Sequence, residues 1–235
     1  MENRGKIIRP AKSEEATSSQ KLSDFIVKYR IAFLTGAGAV LLVLLVIGLY
    51  SVFSNSRNDA SARAMEKART QIASWSAETD TTKKAALLAS VESDLKSVVK
   101  KWPGSFAAQE ALFSESSLSA QQKDWVSAEK YSVEASKVIP KSYLAPIALE
   151  GAAVAAEEQN LPDKAFSYYS TIVKQYSADN PLIAHAYFSL GRLSEGKSDW
   201  KSAMDNYQKI VSTYPSSDWA KLAQDRVVYL KSQGH

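Results

Sequence analysis

The hydrophobic pattern divides the chain into one uninterrupted apolar run and a long series of amphipathic segments. Residues 31–53 contain no Asp, Glu, Lys, Arg or His. Beyond Phe53, apolar residues recur at the spacing of one helix face, and little strict alternation of the kind typical of strands is present. The pattern therefore predicts helices throughout. The predicted ranges are 58–77, 83–101, 105–121, 125–138, 143–158, 162–176, 181–196, 199–213 and 216–232.

The apolar run 31–53 is long enough for a membrane-spanning helix. At 1.5 Å per residue it would extend about 35 Å, against roughly 30 Å for the hydrocarbon core of a bilayer. A buried core helix fits less well, because soluble helices keep a polar face. A cleaved signal peptide stays open as an alternative, since Ala60, Ser61 and Ala62 form a small-x-small site, although the run exceeds the usual apolar length. We predict a transmembrane helix embedded in lipid.

The basic charge of the chain lies in its first 30 residues. This segment holds seven Lys or Arg against four acids, whereas the remainder holds 22 against 21. Lys21, Lys28 and Arg30 favour a cytoplasmic N-terminus, and Arg57 and Arg63 on the other flank weaken the contrast. We expect a single-pass protein of the inner, cytoplasmic membrane with residues 54–235 on the periplasmic or extracytoplasmic side.

A repeat of 37 or 38 residues runs through the C-terminal half. Aligning residues 123–140, 161–177 and 198–215 places Ala128, Ala165 and Ala203 in register. Pro140, Ser177 and Pro215 fall in register too, and Pro103 precedes Pro140 by 37. A period in this range indicates stacked units of supersecondary structure.

The residue types within each unit suit a pair of packed helices. The alanine permits close approach, and Tyr169 or Tyr207 lies four residues on, on the same face. The first copy has Ser132 there instead. Twelve residues before each alanine stands another small residue, namely Ser116, Ala153 or Gly191. Pro215 ends the second helix, because proline cannot continue the hydrogen-bond ladder.

Small residues twelve apart, an aromatic residue four further on and a terminal proline resemble the tetratricopeptide repeat family. Residues 186–215 are the best copy, although the period exceeds the 34 residues of that family. The resemblance implies an α-solenoid with a partner groove lined by the first helix of each unit. The implied groove residues are Glu110, Phe113, Ser117, Ile147, Glu150, Val154, His185, Phe188, Arg192 and Glu195. The implied structural positions are Ala128, Ala165, Gly191, Ala203, Tyr207 and Pro215.

Few residues could carry catalysis or hold a cofactor. The chain has no cysteine and two histidines, His185 and His235. Glu157 and Glu158 are adjacent and therefore diverge on a helix instead of forming a carboxylate dyad. The near-neutral C-terminal part offers no basic surface for nucleic acid. We predict a protein that is not an enzyme and has no cofactor, metal site, nucleic-acid partner or small-molecule substrate.

The order of basic tail, membrane helix and repeats is similar to the YfgM-type ancillary subunits of the bacterial SecYEG translocon. That resemblance implies a scaffold that meets the translocon, chaperones, or unfolded and amphipathic segments during protein export. Residues 210–224 are also similar to repeats of bacterial envelope-assembly and outer-membrane assembly proteins. A membrane-anchored docking receptor facing the cytosol stays open as an alternative.

Together these features predict an all-α chain in which a single transmembrane helix precedes an α-solenoid of tetratricopeptide-like helix hairpins. The predicted parts are a basic cytoplasmic tail at 1–30, the transmembrane helix at 31–53, a helical stalk or degenerate first repeat at 54–103, and repeats with a C-terminal capping helix at 104–235.

Overall fold

The computed structural model describes residues 18–176 and 179–235, and within these ranges it contains helices and no strand. Most helices begin and end within two residues of the predicted ranges. They are α1 (Ser18–Ala77), α2 (Thr81–Lys101), α3 (Phe106–Gln121), α4 (Trp125–Val138), α5 (Leu144–Glu158), α6 (Pro162–Gln175), α7 (Leu182–Gly196), α8 (Trp200–Thr213) and α9 (Asp218–Ser232). The all-α helical repeat predicted from the periodicity is thereby confirmed.

The chain divides into two compact units, Met1–Ser56 and Arg57–His235. In the first unit, the described residues belong to the N-terminal part of α1. By length and composition, α1 contains a candidate membrane span, whose 18-residue apolar window has a mean hydropathy of 2.6 and is not buried. The lack of burial distinguishes it from the core helix of a soluble protein, whereas a signal sequence near an N-terminus would meet the same criterion.

Helix α1 ends at Ala77 as predicted, but it begins earlier than predicted and has no break after Phe53. Residues 31–53 and 58–77 were expected in separate helices, but the structure assigns Ser18–Ala77 to one helix. No proline or glycine stands between Phe53 and Arg57, so nothing in the local sequence ends a helix there. Part of the predicted tail, residues 18–30, is also helical, and the rest of that tail lies outside the described residues.

The second unit is a stack of helix hairpins. Each helix from α2 onward packs against the next one, and α3, α5, α7 and α9 also contact one another in sequence. We call these four the first helices, because each opens a hairpin or, for α9, follows the last one. Buried clusters join neighbouring hairpins: one unites α5, α6 and α7, and another unites α7, α8 and α9. A third unites α2 and α3 with residues 64–75 of α1.

The first helices end in the same way, which gives each hairpin the same turn. Lys123, Asn160 and Ser198 have positive φ angles of 60°, 56° and 57°. The amide of the following residue donates to a carbonyl five residues back at 2.9 Å in all three turns. This pattern is the Schellman motif, in which a left-handed residue satisfies the last carbonyls of a helix.

Helices α2, α4 and α8, each of which precedes a first helix, end two residues before a proline. Pro103, Pro140 and Pro215 follow α2, α4 and α8 at this distance, in turns. Ser177, which occupies the matching position after α6 in the alignment, lies outside the described residues. A proline so placed cannot extend the preceding helix, so the chain turns back toward the next first helix.

Candidate functional site

The seam between the two helices of each hairpin is built from small residues. Ala128, Ala165 and Ala203 are buried, with at most 1% of their surface exposed. Gly191 on α7 faces the ring of Tyr207, and a Cβ built on it would lie 2.6 Å from Cε1 of that ring. The two helices therefore approach more closely here than larger side chains would allow.

Each of the two later hairpins has a tyrosine that links its seam to a carboxylate. The hydroxyl of Tyr207 donates to Oε1 of Glu195 at 2.6 Å, and that of Tyr169 donates to Oε1 of Glu157 at 3.3 Å. Burial raises the pKa of Tyr169 to about 12, with Ser189 opposing the shift and Glu157 adding to it. Burial, followed by the Glu195 carboxylate, raises the pKa of Tyr207 as well. Both rings therefore stay neutral and act as donors from within the seam.

Arginines on the following first helix bind the same carboxylates. Arg192 on α7 donates to both oxygens of Glu157 on α5, at 2.8 and 2.6 Å. Arg226 on α9 likewise binds Glu195 on α7 through Nε and Nη2. Nearer the N-terminus, Arg69 on α1 binds Glu110 on α3 through two of its nitrogens. Glu157 and Glu195 thus each have an arginine of their own, whereas Glu110 shares Arg69 with Glu66.

A fourth glutamate has a different partner. Glu150 on α5 is bonded to Nδ1 of His185 on α7, and the two side chains are 23% and 25% exposed. The ring of His185 stacks on Trp219 at 4.3 Å between centroids, and Phe188 packs against Trp219 at 5.0 Å. An imidazole can be neutral near physiological pH, whereas a guanidinium stays charged. Glu157 and Glu195 therefore each pair with a permanently charged arginine, whereas Glu150 pairs with a histidine.

An open hollow of about 280 Å³ lies between α3 and α5. Phe113 and Ser117 contribute from α3, Ile147 and Val154 from α5, and Trp125 from the start of α4. Glu150 is the charged residue among the described residues that line it. The walls are mainly apolar, and Val154 is 43% exposed. An exposed apolar hollow of this kind suits an apolar side chain.

The hollow lies beside the first repeat, which has small residues at two positions where the later repeats have large ones. Ser132 stands where the later copies have Tyr169 and Tyr207, and Ala120 stands where they have Glu157 and Glu195. Ser132 is buried and bonds Ser116 at 2.7 Å, so no ring reaches the α3–α5 surface from this position. The first hairpin therefore lacks the tyrosine–glutamate pair that the other two carry on this surface.

Nine of the predicted groove residues therefore fall into three sets. Phe113, Ile147, Glu150 and Val154 line one hollow together. His185 and Phe188 pack on Trp219, while Glu110, Arg192 and Glu195 are bound to charged partners within the chain. The sequence analysis did not identify Arg69, Trp219 and Arg226 as partners. Glu157 could have been recognised, since it precedes Glu195 by the repeat interval of 38.

His185, Glu150 and Ser189 have the residue types of a hydrolase catalytic triad but not its geometry. Nε2 of His185 lies 3.4 Å from Oγ of Ser189, and Nδ1 is bonded to Glu150. Ser189 is only 2% exposed and stands in the middle of α7, whose backbone amides are used by the helix. A substrate carbonyl would find neither access nor oxyanion donors there. Among the described residues, no group of three or more His, Cys, Asp or Glu could hold a metal ion.

Comparisons with known proteins agree with the repeat architecture. The family model described as tetratricopeptide repeat matches residues 185–217, which include His185, Ala203 and Tyr207. A TPR repeat-containing protein of Treponema pallidum (strain Nichols) is 28% identical over 152 residues, which are 65% of this chain and 62% of that relative. This chain therefore spans less than two thirds of the length of the curated relative.

A solved structure shows the same fold. The crystal structure of a tetratricopeptide repeat protein from Parabacteroides merdae ATCC 43184 superposes with a TM-score of 0.54 at 19% identity. The match covers 74% of this chain and 61% of that one. At this level of identity the likeness concerns the helical repeat fold. The comparisons thus show similarity to tetratricopeptide repeat proteins, in sequence over residues 185–217 and in fold over most of the chain.

Proposed function

We propose that this protein is a non-catalytic scaffold, anchored in a membrane by α1, that binds other proteins on the surface of its first helices. The observation that carries the proposal is the apolar hollow between α3 and α5, whereas ion pairs join α5 to α7 and α7 to α9. Helical repeats present such extended surfaces to partner proteins. The candidate span in α1 supports the anchor.

The proposed setting is the extracytoplasmic side of the inner membrane, in protein export, translocon-associated chaperoning or envelope biogenesis. Its support comes from the order of basic tail, apolar helix and repeats, and from the basic residues before the span. The proposed partners are the translocon, chaperones, or unfolded and amphipathic segments, because the hollow accepts apolar side chains. Lipid contacts the apolar part of α1.

Reporter fusions test on which side of the membrane the helical repeats lie. Alkaline phosphatase, which is active only outside the cytoplasm, is fused after His235. We expect it to be active, and a fluorescent reporter that folds only in the cytosol to be dark at the same position. The reverse result would reject the extracytoplasmic setting and favour a docking receptor that faces the cytosol.

Site-specific photocrosslinking tests the binding surface. A photoreactive amino acid replaces Val154 in the hollow or, as a matched control, Val126 on α4, which is 67% exposed. In native membranes we expect crosslinked partner proteins from position 154 in clear excess over position 126. Both positions carry valine on an exposed helix surface, so the comparison isolates the location.

A further inference from the structure

We infer that the hollow between α3 and α5 selects peptide segments in which a large apolar side chain is accompanied by a lysine or arginine. This inference rests on the proposed function, because it names the class of segment that the same surface takes. The apolar part enters the hollow, and the cation reaches the carboxylate of Glu150 at its rim.

The space in the hollow follows from residues that are small in this hairpin alone. Ser132 and Ala120 replace the tyrosine and glutamate of the later hairpins. In those hairpins, a tyrosine donates to a glutamate that an arginine also binds. The surface there is therefore occupied by the chain's own side chains, and an incoming apolar group would first have to break ion pairs.

The apolar selectivity follows from the lining. Phe113, Ile147 and Val154 present hydrocarbon surface around an opening of about 280 Å³, which has the dimensions for one or two side chains instead of a whole helix. Burying a leucine-sized side chain there removes apolar surface from water on both partners. A segment with alanine at that position would lose most of this contribution.

The preference for a cation follows from the partner of Glu150. Glu157 and Glu195 each bind an arginine of their own, whose charge is permanent, whereas Glu110 shares Arg69 with Glu66. Glu150 binds His185, which supplies a full positive charge only when it is protonated. The rim of the hollow thus carries a carboxylate that can gain from an additional cation, and this charge complementarity selects the occupant.

Three short synthetic peptides of alanine and glutamine test the inference. Their central sequences are Lys-Leu-Leu-Lys, Glu-Leu-Leu-Glu and Lys-Ala-Ala-Lys. Binding is measured by fluorescence anisotropy to the full chain in nanodiscs of zwitterionic lipid. We expect the first peptide to bind at least about tenfold more tightly than either of the others, a ratio that corresponds to about 1.4 kcal/mol.

Two variants assign the binding to the hollow. Val154→Asp places a charge in its wall and is expected to weaken binding of the Lys-Leu-Leu-Lys peptide by about tenfold or more, because the aspartate must be desolvated. Val126→Asp makes the same change on α4 and should leave the affinity unaltered. Both valines are exposed, so circular dichroism should show intact helices in each variant.

His185→Arg tests the charge preference without altering the lining. An arginine can stack on Trp219 as the imidazole does and would give Glu150 a permanent counter-charge. We expect the ratio between the Lys-Leu-Leu-Lys and Glu-Leu-Leu-Glu peptides to fall below about threefold, while the preference for leucine over alanine remains.

Several outcomes would overturn the inference. One is that the lysine and glutamate peptides bind with equal affinity. Another is that Val154→Asp leaves binding of the Lys-Leu-Leu-Lys peptide unchanged. A third is that the chain forms a dimer and Val154→Asp dissociates it. The last would show that a second copy fills the hollow. If position 154 nevertheless crosslinks partner proteins in membranes, the scaffold function stands and only the peptide class is wrong. If position 154 captures no partner, both proposals fail.

Discussion

Replacing Ala203 with leucine is expected to lower the free energy of unfolding of the repeat unit by about 1 to 3 kcal/mol. Ala203 is fully buried in a cluster with Tyr207, Ile210 and Val227. Its counterparts in the other hairpins are also buried alanines. Three additional heavy atoms in this seam would have to push α7 and α8 apart. Thermal unfolding of the purified protein measures the effect.

A matched control separates seam packing from any general effect of leucine. Ala89 lies on an exposed face of α2, where leucine has a helix propensity close to that of alanine. Ala89→Leu should change the free energy of unfolding by no more than about 0.5 kcal/mol. Equal stabilities of the Ala203→Leu variant and the unaltered protein would show that the proposed seam is not tightly packed.

Glu115 is expected to make stability fall as the pH rises from about 4.5 to 7. Its side chain lies on α3, is 3% exposed, and has an oxygen without a hydrogen-bond partner among the described residues. Burial raises the pKa of Glu115 to about 7, while Lys96 opposes the shift and Glu92 adds to it. An unfolded glutamate titrates near 4.3. The native state therefore holds one more proton than the unfolded state between these values.

The sign of the pH effect follows from this difference. Stability conferred by the protonated form is complete below the unfolded pKa and is lost as the pH rises through the folded pKa. A shift of this size corresponds to about 3 kcal/mol in the free energy of unfolding between pH 4.5 and 7, with little further change above. Chemical denaturation at a series of pH values measures it.

The variant Glu115→Gln isolates this residue from the other titrating groups. Glutamine resembles the protonated acid in shape and cannot ionise. We expect the variant and the unaltered protein to be about equally stable at pH 4.5, and the variant to be more stable by about 3 kcal/mol at pH 8. Parallel pH profiles would contradict the assignment of a raised pKa to Glu115.

Much of the fold follows from residue types and their spacing. The interval of 37 or 38 residues placed Ala128, Ala165 and Ala203 in register, and all three are buried. The helix ends could be predicted because prolines and turns recur with the same interval. The junction within α1 could not, since no residue between Phe53 and Arg57 marks either an end or a continuation.

The candidate site was harder to predict, because its properties depend on pairs of residues from different repeats. Arg192 and Glu195 were expected to face a partner, but each binds a side chain that lies more than 30 residues away in the sequence. No periodicity within one helix reveals such a pair. The sequence does show that Ser132 stands where the later repeats have a tyrosine. Whether this opens a hollow depends on which other side chains fill the space between α3 and α5, and the sequence alone does not reveal that.

In the proposed function, the serine at position 132 matters because it leaves the hollow open to a partner. In the later hairpins, a tyrosine and an arginine bind the same glutamate, and the ion pairs join consecutive first helices. In the first hairpin, their absence leaves an apolar opening beside a carboxylate whose partner is a histidine. In the proposed function, the place where the repeat is incomplete is the place where a partner binds.

The crosslinking comparison between positions 154 and 126 tests the central claim most directly. It is performed on the full chain in one preparation of native membranes, and the crosslinked products are identified by mass spectrometry. If the surface of the first helices binds partners, the same proteins should recur in crosslinks from position 154 and be depleted at position 126. Equal yields from both positions, or no product from position 154, would contradict the account.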